Sequence, residues 1–169
     1  MLFVRAKQPL VKMLCPLQVG CGVSAGTELV AHRLRSFVAE YKNNPNYGLL
    51  TLDLKNAFNT VDRAIVYEQL KSFFPSLVPW YLYTYGTQSC LFFGGVTITS
   101  AQECSKVTTL SGLLFVLAFH SLVRLLSGIP GVLWSSWFYD DGYFIAPLDI
   151  LGCVLDRAVD IFFHCGYYD

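Results

Sequence analysis

Two adjacent carboxylates, Asp140 and Asp141, interrupt an otherwise apolar and aromatic part of the chain. An apolar run at residues 132–139 precedes them, and after Gly142 a second short apolar run covers residues 143–146. Such runs predict a strand, a tight turn and a second strand, with the acids at the tip of a β-hairpin. These residues alone allow two interpretations. The pair is either a polar turn, where Asp and Gly are favoured, or a set of ligands for a shared metal ion.

A third carboxylate, Asp53, lies near the end of the apolar run at residues 48–54. This run predicts a buried strand, and a buried strand tolerates an unpaired carboxylate only at a high free-energy cost. We therefore expect Asp53 at the end of its strand, with a cation or hydrogen-bond donors nearby. Carboxylates that two strands bring to one edge of a sheet make an oxygen-rich site of the kind that suits Mg²⁺.

The rest of the chain is predicted to be mainly helical. Residues 1–15 are expected to be irregular or the end of a helix, and Ser24 and Asn59 are expected to cap the two helices that follow them. Helices are predicted at residues 27–41, 59–73, 76–85, 109–126 and 148–163, and a second hairpin at residues 89–99. This order predicts an α+β fold, with a small antiparallel sheet backed by helices. The sequence has no internal repeat or linker, so residues 1–169 are predicted to form one domain.

The chain is unusually apolar for a free-standing domain. It is 54% hydrophobic and only 14% charged, whereas about 25% charged is usual. Either the chain is the buried centre of a larger protein or it contacts a membrane. The longest apolar stretch, residues 110–126, contains His120 and Arg124, which predicts a buried helix rather than a membrane span. Arg5 and Lys7 follow the first residues too closely for a secretory signal, so an intracellular location, nuclear or cytoplasmic, is expected.

Charges and cysteines give weaker indications. The formal net charge is zero, but lysines and arginines are concentrated in the first 71 residues and acids in the remainder. A basic first half is suited to phosphate contacts, and the alternative is two ordinary solvated faces. The six cysteines form no Cys-x-x-Cys pair. We therefore expect reduced, mostly buried thiols and no zinc site.

Two separated blocks carry a family resemblance. The first is Asp53-Leu54-Lys55-Asn56-Ala57-Phe58-Asn59, and the second is Phe138-Tyr139-Asp140-Asp141. In this order and at this separation, they resemble the palm of a reverse transcriptase, most closely that of the non-LTR retrotransposon (LINE-like) family. A similar Pro-x-Gln-x-Gly-x-Gly stretch, followed by Gly-x-Glu, starts at Pro16. The resemblance implies a polymerase palm at residues 48–169 and a fingers-like segment at residues 1–47.

The resemblance also implies a reaction and a cofactor. The reaction is RNA-directed DNA polymerisation, and the cofactor is a pair of Mg²⁺ or Mn²⁺ ions. Asp53 and Asp140 would bridge the two ions, and Asp141 would join them from the same hairpin. The backbone carbonyl of Leu54 would help to hold the ion on the triphosphate side.

The implied partners are an RNA template, a DNA primer and dNTPs, with no membrane. Phe58, with Ala57 beside it, would lie under the sugar of the incoming nucleotide. The alternative for Phe58 is that it only starts a core helix. Gln18, Arg33 and Lys106 are the candidate contacts to nucleic acid.

The chain also departs from the family. Relatives carry a Gln-Gly-Asp-Pro-Leu-Gly-Pro block before the buried helix, and here Lys106-Val107-Thr108 replaces the Gln-Gly-Asp. A β-branched Val107 obstructs a place where glycine lets the nucleotide approach closely. The upstream fingers strands and the thumb of a complete enzyme are not in this sequence. Three interpretations follow: a polymerase palm, as a fragment or decayed copy with little activity alone; a non-catalytic nucleic-acid-binding relic; and a membrane-associated structural protein.

Overall fold

The computed structural model describes residues 2–55, 57–87, 89–100 and 110–164. In chain order its elements are α1 (Leu2–Leu14), α2 (Gly26–Tyr41), β1 (Tyr47–Asp53), α3 (Arg63–Phe73), α4 (Val78–Tyr85), β2 (Ser89–Phe93), β3 (Val96–Ser100), α5 (Ser111–Ser127), β4 (Trp134–Phe138), β5 (Asp141–Pro147) and α6 (Leu148–His164). Short 3-10 helices at Ala57–Asn59 and Pro75–Leu77 precede α3 and α4. This content confirms the α+β class that the sequence predicted.

The sheet that carries the acids has three antiparallel strands in the order β1-β5-β4. β1 pairs with β5 from Tyr47 opposite Pro147 to Asp53 opposite Asp141. β4 pairs with the other side of β5 and ends with Phe138 opposite Asp141. The central strand β5 therefore has a neighbour on both sides. The second hairpin, β2 with β3, forms a separate two-stranded sheet.

β1 is an edge strand, and the prediction that it is buried is wrong. Leu49 is 40% exposed, and Thr51 and Asp53 are also exposed. Leu50 and Leu52, on the opposite face, pack against the core. Successive side chains of a strand point to opposite faces, so an unbroken apolar run does not require that both faces are covered.

α5 is the centre of the hydrophobic core, which confirms the prediction of a buried helix. Its side chains are buried over most of its length, including Leu113, Leu114, Phe115, Val116, Leu117 and Phe119. The Phe119 ring meets Trp137 of β4 with centroids 5.2 Å apart, and Phe162 of α6 at 5.9 Å. Within the described ranges, no helix combines the length and the apolar character that crossing a bilayer requires.

Several helix ends differ from the prediction. α1 is a full helix, not an irregular segment. The residue before α2 is Ala25, at a positive φ of 54° and with no side-chain capping bond, so Ser24 does not cap this helix. Asp62, not Asn59, precedes α3, and its carboxylate accepts a hydrogen bond of 2.7 Å from the amide of Ala64. Neighbouring polar residues are all competent caps, and the packing of each helix decides which one is used.

Among the three cysteines whose side chains the structure describes, the prediction of a buried thiol holds for one and is wrong for two. Cys21 is buried, whereas Cys15 and Cys153 are exposed. Cys153 lies on α6 next to the buried Val154, so its side chain is on the outer part of the helix. For these cysteines the surroundings, rather than the residue type, set the exposure.

Candidate metal and nucleotide site

The register of the sheet places two carboxylates side by side. Asp53 is the last residue of β1, Asp141 is the first residue of β5, and the two are directly opposite each other. Opposed residues of an antiparallel pair project to the same face, with Cβ atoms about 4.5–5.5 Å apart. Asp140 precedes Asp141 in the turn. Like charges directly opposite each other destabilise a sheet, so this arrangement costs free energy unless a cation neutralises it.

Two groups at this site, Asp141 and Tyr143, have raised pKa values. Burial raises the pKa of the Asp141 carboxyl group, and the charges of Asp140 and Asp53 raise it further. Burial also raises the pKa of the Tyr143 hydroxyl group, with additional contributions from Asp141 and Asp53.

The donor set fits a hard divalent cation. Carboxylate oxygens are the ligands that Mg²⁺ and Mn²⁺ prefer. Among the described residues, no group of three or more His, Cys, Asp or Glu side chains is placed so that it could hold a metal ion. Mg²⁺ is usually bound by one or two carboxylates, with water and substrate phosphates completing its shell. The pair formed by Asp53 and Asp141 is suited to that mode. Bridging by Asp140 and coordination by the Leu54 carbonyl stay predictions.

The turn between β4 and β5 is held from a distant part of the chain by Gln18. The Gln18 side-chain amide donates a hydrogen bond of 3.0 Å to the carbonyl of Tyr139. Its oxygen accepts hydrogen bonds from the amides of Tyr139, at 2.9 Å, and Gly20, at 3.0 Å. Gln18 is only 1% exposed. In the structure it therefore bonds to the backbone of the chain itself. The predicted contact of Gln18 with nucleic acid stays a prediction.

The segment around Gln18 also pairs with β4 through its backbone. The amide of Val19 donates to the carbonyl of Trp137 at 2.8 Å, and the amide of Trp137 donates to the carbonyl of Leu17 at 2.6 Å. Residues 17–19 therefore cover the open edge of β4 next to the acids. Without such cover, the backbone groups on that edge would have no partner in the sheet.

Gly142 lies in β5, and the prediction that it belongs to the turn is wrong. The turn consists of Tyr139 and Asp140. Gly142 is opposite Trp137, and a Cβ atom at Gly142 would lie 2.7 Å from the indole ring. Glycine is needed here because a fully buried ring passes over the backbone, not because of turn geometry.

Phe58 is half-buried and packs against two other aromatic rings. It stacks on Phe115 of α5 with centroids 4.2 Å apart, and the Tyr139 ring lies against it at 5.8 Å. Ala57, beside it, is buried. Phe58 belongs to a 3-10 helix that precedes α3 and not to a core helix. The predicted contact of Phe58 and Ala57 with a nucleotide sugar stays a prediction.

The remaining candidate residues are not brought to the acids by the described structure. Arg33 is exposed on α2 and lines a cavity of about 530 Å³ together with Trp134 and Leu29. Trp134 begins β4, at the opposite end from the acidic turn. Lys106 and Val107 lie outside the described residues, so the predictions for them are untested.

Comparisons with known proteins find similar folds among solved structures. No protein-family model matches the chain, and no curated protein matches it. Among solved structures, telomerase from Candida albicans, in complex with the TWJ fragment of telomeric RNA, superposes with a TM-score of 0.64 at 10% identity, over 95% of this chain. Apo telomerase from Candida tropicalis, truncated from its C-terminal domain, superposes with a TM-score of 0.57 at 14% identity, over 91% of this chain.

These comparisons define a fold and not a family. The chain has a polymerase palm-type α+β fold, a small antiparallel sheet backed by helices. It spans only 32% and 35% of the two telomerase chains. At such low identity the likeness shows a shared fold and says nothing about activity.

Proposed function

We propose that this chain is the palm portion of a reverse-transcriptase-like nucleotidyltransferase, of the kind found in non-LTR retrotransposons, which extends a DNA primer on an RNA template. One observation carries the proposal: Asp53 is directly opposite Asp141, with Asp140 adjacent. Like charges directly opposite each other at strand ends cost free energy, which a bound divalent cation offsets. The shared fold with telomerase, itself related to reverse transcriptases, supports the proposal.

Each residue has a proposed task. Two divalent ions, when bound, activate the primer 3′-hydroxyl and stabilise the charge that develops on the transferred phosphate. Asp53 and Asp141 would hold the ions at the strand ends, and Asp140 would contribute a further carboxylate from the turn. Gln18 fixes both backbone groups of Tyr139, and so restricts how far the neighbouring carboxylates can swing.

Metal binding is the first test. Mn²⁺ is titrated into the chain, and the free ion is measured by electron paramagnetic resonance. We expect Asp53→Asn and Asp141→Asn each to weaken binding by about tenfold or more, since a carboxylate ligand is lost. Asp156→Asn, an exposed acid on α6, is the matched control and should bind as the unchanged chain does. Equal affinity in all four proteins would place the metal elsewhere and remove the main support for the proposal.

Polymerisation is the second test, and we expect little of it from this chain alone. Positioning supplies much of the rate in phosphoryl transfer, and a displacement of about 1 Å can cost about 100-fold. Used alone, the chain loses the Gln-Gly-Asp of relatives at residues 106–108, and it spans only 32% and 35% of the two telomerase chains, so it also loses any positioning that the rest of a longer polymerase supplies. Mg²⁺-dependent primer extension on an RNA template measures the activity. Rapid extension that Asp140→Ala abolishes would show that these losses matter less than we propose.

A non-catalytic nucleic-acid-binding protein is the second candidate. The observation in its favour is that aromatic rings from Phe115 and Tyr139 already pack against Phe58. This candidate predicts that a primer–template binds equally well with and without Mg²⁺. It also predicts that Asp53→Asn leaves that affinity unchanged, whereas a polymerase site predicts a dependence on both.

A further inference from the structure

The acidic turn contains a bulky residue in an unfavourable backbone conformation. Tyr139 has a positive φ of 56°, a region that glycine and asparagine adopt readily and that bulky residues seldom enter. Gln18 holds it there by bonding to both its amide and its carbonyl. Such local strain persists only where the surrounding structure enforces it, and it is often found at functional sites.

The direction of the Tyr139 side chain follows from this conformation. Its ring lies against Phe58, and a Cβ atom added at Gly112 would be 3.0 Å from the ring and 3.1 Å from its hydroxyl group. A Cβ atom at Gly20 would be 2.8 Å from the ring on another side. Burial raises the pKa of the Tyr139 hydroxyl group, and the nearby Cys21 thiol raises it further. The ring therefore fills the space between Phe58, the first turn of α5 and the loop at residues 20–21.

Phe58 also packs against a second aromatic ring. Phe115 stacks on it with an interplanar angle of 18° and a centroid separation of 4.2 Å. By contrast, the carboxylates remain accessible, because Asp53 is exposed and Asp140 and Asp141 are half-buried. An ion can therefore reach the acids in the conformation described, whereas a sugar placed on the half-buried Phe58 ring would meet the Tyr139 ring beside it.

We propose that Tyr139 is an access-determining residue that closes the nucleotide side of the acidic site while leaving its metal side open. This inference rests on the proposed function and on the prediction, implied by the family resemblance, that Phe58 contacts the sugar of the nucleotide. Nucleotide binding then requires the Tyr139 ring to leave the space above Phe58. A site that is open for about a tenth of the time binds about tenfold more weakly than a permanently open one.

The test compares three substitutions at one position. Tyr139→Gly removes the ring and accepts the positive φ without strain. Tyr139→Asn also accepts that conformation, and it serves if the glycine variant does not fold. Tyr139→Phe is the matched control, because it keeps the ring and loses only the hydroxyl group near Cys21. The probes are Mn²⁺ alone, measured by electron paramagnetic resonance, and dATP with saturating Mn²⁺, measured by equilibrium dialysis.

We expect all variants to bind Mn²⁺ as the unchanged chain does. Tyr139→Gly and Tyr139→Asn should bind dATP about tenfold or more tightly than the unchanged chain, and Tyr139→Phe should not. Mn²⁺ binding at the acids with equal dATP affinity in every protein overturns the closure by Tyr139 and leaves the proposed function standing. Failure of Asp53→Asn to affect Mn²⁺ binding overturns the proposed function and the closure together.

Discussion

The two β-hairpins of this protein close with two-residue turns that are stabilised in different ways. The β2–β3 turn consists of Gly94 and Gly95, both at positive φ, which suits the twist of a tight hairpin. If a Cβ atom were added at either glycine, no described atom would lie within 4 Å of it. The β4–β5 turn consists of Tyr139 and Asp140, and places the tyrosine in the same unfavourable region at φ 56°.

The difference shows where each geometry originates. The glycine turn needs only its own residues, since glycine adopts positive φ without a steric penalty. For a bulky residue the left-handed conformation costs about 1–2 kcal/mol, and tertiary contacts must supply that free energy. Gln18 makes such contacts with Tyr139 from a position 121 residues away in sequence. The hairpin that carries the acids is therefore set by the whole fold, and the other by local sequence.

Loss of the Gln18 contacts should give the largest effect. Gln18→Leu leaves two amides and a carbonyl around the turn without their partner. We expect a loss of about 3 kcal/mol in the free energy of unfolding, measured by urea denaturation. Gln8→Leu, on an exposed position of α1, is the matched control and should change stability by about 0.5 kcal/mol or less. Equal losses in the two variants would mean that the turn does not depend on Gln18.

Substitution of glycine separates the two hairpins further. Gly142→Ala places a Cβ atom 2.7 Å from the Trp137 ring, and overpacking of this kind costs about 2 kcal/mol. Gly95→Ala meets no neighbour and should cost about 1 kcal/mol, through its positive φ alone. Denaturation of both variants measures the difference. A larger loss for Gly95→Ala would reverse the comparison.

Asp141→Asn should stabilise the protein near neutral pH. Burial first, and then Asp140 and Asp53, raise the pKa of Asp141 above its usual value of 3.8. The folded state therefore holds this proton more tightly than the unfolded state does. Stability from this group is present below the usual pKa and is lost as the pH rises through the raised value. We expect a gain of about 0.2–1 kcal/mol at neutral pH.

The pH dependence provides the check on this prediction. The stability difference between Asp141→Asn and the unchanged chain should shrink as the pH falls below 3.8, and added Mg²⁺ should shrink it at neutral pH by stabilising the unchanged chain. Asp156→Asn, on the exposed side of α6, should show neither trend. A loss of stability from Asp141→Asn at neutral pH would contradict the stated charge repulsion.

The smallest effect is expected at the tip of the other hairpin. Gly94 has φ 56°, the same value as Tyr139, but without surrounding contacts among the described residues. Gly94→Asn should change stability by about 0.5 kcal/mol or less, because asparagine accepts this turn conformation. Thermal unfolding measures it. A loss above that of Gly142→Ala would show that the β2–β3 turn is not locally determined.

The sequence by itself determined the α+β class, the order of strands and helices, the buried α5 and the strand positions of the acid blocks. These features depend on residues close together in the chain, such as the apolar runs on either side of Asp140. The full α1 helix, the caps of α2 and α3 and the edge position of β1 depended on packing instead.

Only the tertiary structure decided the arrangement of the site. Asp53 faces Asp141 because of the β1–β5 register, Gln18 bonds to the Tyr139 backbone, and Gly142 accommodates Trp137. Each of these contacts joins residues from different strands or distant segments, and a residue's own neighbours in sequence do not specify its partner across a sheet. The signal that could have indicated the Tyr139 conformation was a bulky residue in a two-residue hairpin turn, where positive φ is usual.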